Sequence, residues 1–148
     1  MERVRDLVVE GENSVLGEIV AQSEGLAPGD PLLEPYFALA EELDIPVALH
    51  MGMGGIDPHK RYPRYRSALS DPLLLEEVLL RHPNLRIYVM HAGWPMLDEM
   101  VHLMWSHSKV YVDTGVIDWV IPRKKSTPIC VVSSKRDSAK ESCSGRIR

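Results

Sequence analysis

The chain has 148 residues, a formal net charge of -4 and 45% hydrophobic residues, the profile of one globular domain with enough apolar surface for a core. An acidic balance without a basic stripe argues against nucleic acid as a partner. No run approaches the roughly 20 apolar residues of a membrane helix, and the opening M-E-R-V-R-D-L-V-V-E-G-E lacks a signal-peptide core, so no membrane role and a cytoplasmic address are expected. Cys130 and Cys143 have neither C-x-x-C spacing nor enough company for a disulfide framework.

In chain order, four aliphatic and β-branched runs predict strands: S-V-L-G-E-I-V at 14–20, D-I-P-V-A-L-H at 44–50, R-I-Y-V-M-H at 86–91 and K-V-Y-V-D-T at 109–114. Apolar residues on both faces of each run predict buried parallel strands. Helical patterns fill the gaps. Residues 31–43 follow Asp30, a candidate N-cap, although Pro35 suits a start one turn later. Residues 70–82 open on Ser70 or Asp71 with Pro72 in the first turn and stop before Pro83. The segment 95–107 places Leu97, Met100, Val101 and Met104 on one stripe.

Alternating strands and helices with short links imply right-handed βαβ crossovers around a parallel sheet. An open doubly wound sheet and a closed (β/α)8 barrel both fit the spacing. A glycine-rich phosphate loop, which would favour the former, is absent. Glu18, His50, His91 and Asp113 fall within or at the carboxyl ends of four successive predicted strands, the rim where barrels gather catalytic groups. The expectation is therefore a partial barrel.

A histidine at a strand end also serves as a hydrogen-bonded packing residue. His50 and His91, however, are each followed by small or flexible residues, H-M-G and H-A-G, which leave room for backbone or ligand to come close. Imidazole and carboxylate together suit a divalent metal such as zinc, which can make hydroxide available near neutral pH. Glu18 interrupts an apolar run, where an unpaired carboxylate is costly; it is either ion-paired or aimed at a metal or substrate. Asp113, in Y-V-D-T-G, reads more simply as a turn cap. His82, His102 and His107 are expected in solvent on helices or helix ends, and the loop residue His59 fits either role. The loop 51–70 interleaves Arg61, Arg64 and Arg66 with Tyr62 and Tyr65. Over a barrel mouth those arginines could fork onto a substrate carboxylate; the alternative is a solvated basic loop.

Three phrases carry a family resemblance: P-Y-F-A-L-A-E-E-L-D-I-P-V-A-L-H-M-G, D-P-L-L-L-E-E-V-L-L-R-H-P-N-L-R-I-Y-V-M-H-A-G and K-V-Y-V-D-T-G-V-I-D-W. They resemble the middle of amidohydrolase-related, metal-dependent TIM-barrel proteins, a family that includes aminocarboxymuconate-semialdehyde decarboxylase. The resemblance spans about residues 14 to 123 and implies strands 4 to 7 of the barrel. It implies that His50 is a metal ligand and that His91 acts in catalysis by polarising or positioning water or substrate, with a looser match of Glu18 to a ligand or acid. It further implies a divalent cofactor, zinc or manganese, and a small carboxylated or amide substrate, hydrolysed or decarboxylated.

The departures are equally specific. The family's H-x-H after strand 1 has no counterpart, and its strand-8 aspartate phrase, similar to I-M-F-G-S-D, is missing. The expected organisation is a partial barrel over 1–123 and a polar, serine-rich tail over 124–148, disordered by composition. Glu141 to Ile147 can be encoded GAA-TCA-TGT-TCG-GGT-CGG-ATC, and the same bases read from the third position give I-M-F-G-S-D, so a frameshifted remnant of strand 8 is expected there. Two functions follow: a metal-dependent hydrolase or decarboxylase by family, or an inactive remnant with a binding or scaffolding role. Half a barrel would leave sheet edges open to self-association.

Overall fold

The computed structural model describes residues 2–11 and 14–117; the expected tail and both cysteines lie outside them. Four strands, β1 (Leu16–Ile19), β2 (Val47–His50), β3 (Ile87–Met90) and β4 (Val110–Val112), form one parallel sheet in the order β1-β2-β3-β4. Each lies inside its predicted run. The helices are α1 (Glu2–Val9), α2 (Glu34–Glu42), α3 (Pro58–Arg61), α4 (Glu76–Arg81) and α5 (Leu97–Ser106). Strands in sequence order with intervening helices are consecutive βαβ units, the repeat of a barrel wall.

Local chemistry sets the helix starts. Asp30 caps only the turn ahead of α2, its Oδ1 accepting the Leu32 N–H at 2.9 Å, and the helix begins at Glu34 with Pro35 in its first turn, where a missing N–H costs nothing. Asp71 likewise caps the tight turn at Pro72–Leu75, its Oδ1 accepting the Leu73 N–H at 2.9 Å, and that turn runs into α4. Helix α1 was not among the predicted elements. Its apolar Val4, Leu7 and Val8 have helical spacing, but none is buried, and Arg5 ties it to Glu42 of α2 through two bonds of 2.8 and 2.7 Å.

The core lies on one face of the sheet. Val47, Leu49, Ile87, Val89 and Val110 alternate toward Phe37 and Ala40 of α2, Val78 and Leu79 of α4, and Met100, Leu103 and Met104 of α5. Phe37 is fully buried, and burying one such side chain contributes about 1.5–3 kcal/mol. The opposite face overturns the expectation of strands buried on both sides. Ala48, Tyr88 and Tyr111 sit side by side in register, and both tyrosines remain 40% exposed, their rings stacked at 6.1 Å. The physical reason is that four strands do not close. The face that a complete barrel turns inward has no opposing wall among the described residues. No helix among them is long and apolar enough to cross a membrane.

His82 corrects a second expectation. It is buried rather than solvated, 6% exposed. Its Nδ1 lies 2.9 Å from Glu41 and its Nε2 2.8 Å from Glu34, pinning the end of α4 across α2. His102 is exposed, as expected, and His107 is half-buried near Glu76.

Candidate functional site

Glu18 reaches the inner face because β1 is irregular. Leu16 pairs with Val47 and Ile19 with Leu49, so three steps on β1 oppose two on β2. That extra residue is a bulge, which lets Leu16 and Ile19 both pack on the helix-side core and turns Glu18 to the other side. Gly17 allows the kink: its φ is +138°, and a Cβ there would lie 2.4 Å from the Ala48 carbonyl oxygen.

His50 closes β2 on the same face. Its Nδ1 stands 2.8 Å from Glu18 Oε1, and its Nε2 stands 3.2 Å from the Met53 carbonyl. A carbonyl only accepts, so Nε2 carries the proton there, and in a neutral ring Nδ1 then turns a lone pair toward a carboxylate oxygen. The contact is met either by a second proton on the ring, which makes an imidazolium–carboxylate ion pair, or by a cation bound to both atoms. His91, just past β3, brings Nε2 to 3.7 Å from the same Glu18 oxygen, with its ring edge-on to His50 at a centroid distance of 5.0 Å. One ligand atom from each of Glu18, His50 and His91 lies within 4.8 Å of the others. His91 Nδ1 is buried without a hydrogen-bond partner, an unmet donor or acceptor of the kind that structures avoid unless a ligand meets it.

The backbone around this trio is tightly specified. His91 and Ala92 take positive φ angles of 54° and 49°, uncommon for residues with a Cβ and concentrated at functional turns. Gly52, two residues after His50, has φ +84°, and a Cβ there would lie 2.2 Å from the Trp94 carbonyl oxygen. Its N–H donates to Ser70 O and that of Met53 to Trp94 O, both at 2.8 Å. The glycine after β2 therefore admits a close backbone, and this contact sets the carbonyl that holds His50.

The trio opens on a cavity of about 560 Å³ whose lining also includes Gln22, Glu24 and Tyr65, within the size range of small-molecule sites. The loop 51–70 walls it. Tyr65 is buried, and its hydroxyl accepts the Gly54 N–H at 3.0 Å. The three arginines of that loop are not in the lining. Arg64 pairs with Glu24, Arg66 donates to the Pro63 and Tyr65 carbonyls at 3.3 and 2.8 Å, and Arg61 stacks on Tyr62 at 5.4 Å. Asp113 stays outside the trio and caps a turn, accepting the Gly115 N–H at 2.6 Å. His59 is exposed.

Sequence reasoning passed over Gln22. It is 1% exposed, and its Nε2 has no hydrogen-bond partner. A glutamine among small residues directly after β1, in V-A-Q-S-E-G, was the available signal.

Comparison with known proteins agrees with this architecture. A TIM-barrel protein of uncharacterised function from Bordetella bronchiseptica aligns with a TM-score of 0.63 at 17% identity, covering 92% of this chain and 52% of that one. The chain thus spans about half the length of that barrel, and the likeness carries the fold. No curated protein matches. The family model described as amidohydrolase, Amidohydro_2, matches residues 2–142; with parallel βαβ units and a carboxylate and two imidazoles at their carboxyl ends, the chain belongs to the amidohydrolase family and is a partial barrel of a generally metal-dependent kind.

Proposed function

We propose that Glu18, His50 and His91 hold a divalent cation, zinc or manganese, and that the site serves a hydrolase-type or decarboxylase-type reaction on a small substrate in the adjoining cavity. One observation carries this reading. His50 Nδ1 and Glu18 Oε1 face each other at 2.8 Å while the Met53 carbonyl occupies the other ring nitrogen. Tethering one histidine nitrogen to a backbone carbonyl is how proteins fix the tautomer of a ligating imidazole. One carboxylate with two imidazoles is a recognised catalytic zinc donor set.

The chain's residues divide the work. A cation bound by them supplies Lewis acidity and a water that is deprotonated near neutral pH. Met53 keeps the proton on His50 Nε2, leaving Nδ1 free to bind. Glu18, shared by both rings, orients them. His91, 22% exposed at its side chain and bordering the cavity, completes the donor set on the cavity side. Tyr65 and the loop 51–70 wall the cavity and limit water access.

Zinc content tests the reading. After loading and dialysis the chain should retain about one zinc per molecule, as a three-donor site implies, and His50→Ala should retain none. A wild-type chain free of zinc and manganese would overturn it. Release of carbon dioxide, against formation of a new carboxylate and amine, separates decarboxylation from hydrolysis.

A second reading, metal binding without turnover, is favoured by the uncovered inner face at Tyr88 and Tyr111. In it the chain works as a binding or scaffolding module that associates through its sheet edges. Light scattering on the metal-loaded protein tests this, with a monomer at all concentrations arguing against it.

A further inference from the structure

We infer that Tyr65 is a positioning residue for the metal site: its hydroxyl orients the peptide between Met53 and Gly54, and through that peptide it holds the His50 ring with Nδ1 turned toward Glu18. The inference rests on the reading of Glu18, His50 and His91 as a cation site, and it adds to that site a side chain from the loop 51–70 that touches none of the three.

A single peptide unit joins the two side chains. Its carbonyl, that of Met53, accepts the His50 Nε2–H at 3.2 Å, and its N–H, that of Gly54, donates to the Tyr65 hydroxyl at 3.0 Å. These groups are opposite ends of one planar unit, so fixing the N–H fixes the direction of the C=O. Little else holds that plane. Met53 and Gly55 on either side of Gly54 are exposed, glycine allows a wide choice of backbone angles, and the Met53 N–H bond to Trp94 O belongs to the preceding peptide. Tyr65 is suited to the task because it is itself anchored. It is buried, its N–H donates to Tyr62 O at 2.9 Å, and its carbonyl accepts from Arg66 at 2.8 Å. Gly54 admits the phenol, since a Cβ there would stand 2.9 Å from the hydroxyl oxygen. Hydrogen bonds in series also polarise one another, so the bond to Tyr65 makes the Met53 carbonyl a better acceptor for His50. A side chain that only filled the wall would need the ring and not its oxygen.

Tyr65→Phe keeps the ring and removes the oxygen. Zinc affinity of the wild type and the variant is measured by competition with a chromophoric chelator. Protein labelled with 15N-histidine reports solvent exchange of the His50 Nε2 proton, its signal identified by its loss from His50→Ala. Tyr65→Phe should lower zinc affinity at least about tenfold, the lower end of the loss when a partner of a ligating histidine is removed. It should also speed exchange of the His50 Nε2 proton severalfold while leaving the His82 ring protons unchanged, which a general loosening of the fold would not do. Unchanged affinity, or unchanged exchange at His50, would overturn the inference. So would a Gly54 N–H that exchanges in the wild type as fast as an unprotected amide, a measurement that needs no variant to fold. Absence of zinc from the wild type refutes the metal reading separately, and the exchange rates at His50 and Gly54 in the metal-free protein then decide Tyr65.

Discussion

Besides the single pair of His107 and Glu76, two clusters among the described residues set imidazole against carboxylate, and they differ in what they leave unmet. At His82 each ring nitrogen has its own glutamate, Glu41 and Glu34, and the ring lies in the helix layer beside Phe37, at a centroid distance of 6.3 Å. At the sheet mouth one carboxylate, Glu18, serves two rings, and His91 retains a nitrogen without a partner. The first cluster is complete within the protein and joins α2 to α4. The second is short of partners beside a cavity, as a ligand site must be before its ligand arrives.

Substitution should separate the two. The largest effect is expected from His50→Ala, which should lower zinc affinity by more than about 100-fold, beyond the loss typical of an outer-shell partner, while leaving the thermal midpoint of the metal-free protein nearly unchanged. Isothermal titration and melting curves measure the two quantities. His82→Ala should do the reverse, lowering stability by about 2 kcal/mol through the loss of its hydrogen bonds to charged partners, with zinc per folded chain unaltered. If His82→Ala removed zinc, the division between the clusters would fail. Gly52→Ala sharpens the contrast from the backbone: it should destabilise by more than about 1 kcal/mol, because alanine is strained at positive φ, and should also weaken zinc binding by displacing the Met53 carbonyl. Denaturant melts with and without zinc report both.

The smallest effect concerns acid. Burial would push the Glu41 carboxyl up, but it is outweighed by the His82 hydrogen bond, the Asn84 N–H and the charges of His82 and Lys109, which together hold it below its ordinary value. A carboxyl depressed on folding contributes stability above its unfolded pKa of about 4.3 and loses it as pH falls through the lower folded value. The stability gap between wild type and Glu41→Gln should therefore narrow on acidification from about pH 5. A gap constant down to pH 3 would show that the His82 cluster does not depend on the Glu41 charge.

Much of this architecture was legible in the chain. The aliphatic runs ending in H-M-G and H-A-G marked β2 and β3, and the polar residues at their ends pointed to a barrel rim, because strand periodicity and strand termini are local properties. Partners far along the chain were not legible. His82 resembles any polar helix end until Glu41 and Glu34, 41 and 48 residues away, are brought beside it. The arginines of the loop suggested a carboxylate fork, yet their positions depend on Glu24, Tyr62 and nearby carbonyls that composition does not reveal. Gln22 is informative only through a missing hydrogen bond, which no linear pattern encodes.

The bulge in β1 makes Gly17 a residue whose loss is milder than its replacement. Leu16 and Ile19 are three steps apart where β2 takes two, so Gly17 is the residue in excess. Loss of its codon would leave two steps against two, with Leu16 and Ile19 still on the core face in the same register and Glu18 still on the inner face. A side chain at the same position has no such way out, because its Cβ would meet the Ala48 carbonyl oxygen at 2.4 Å.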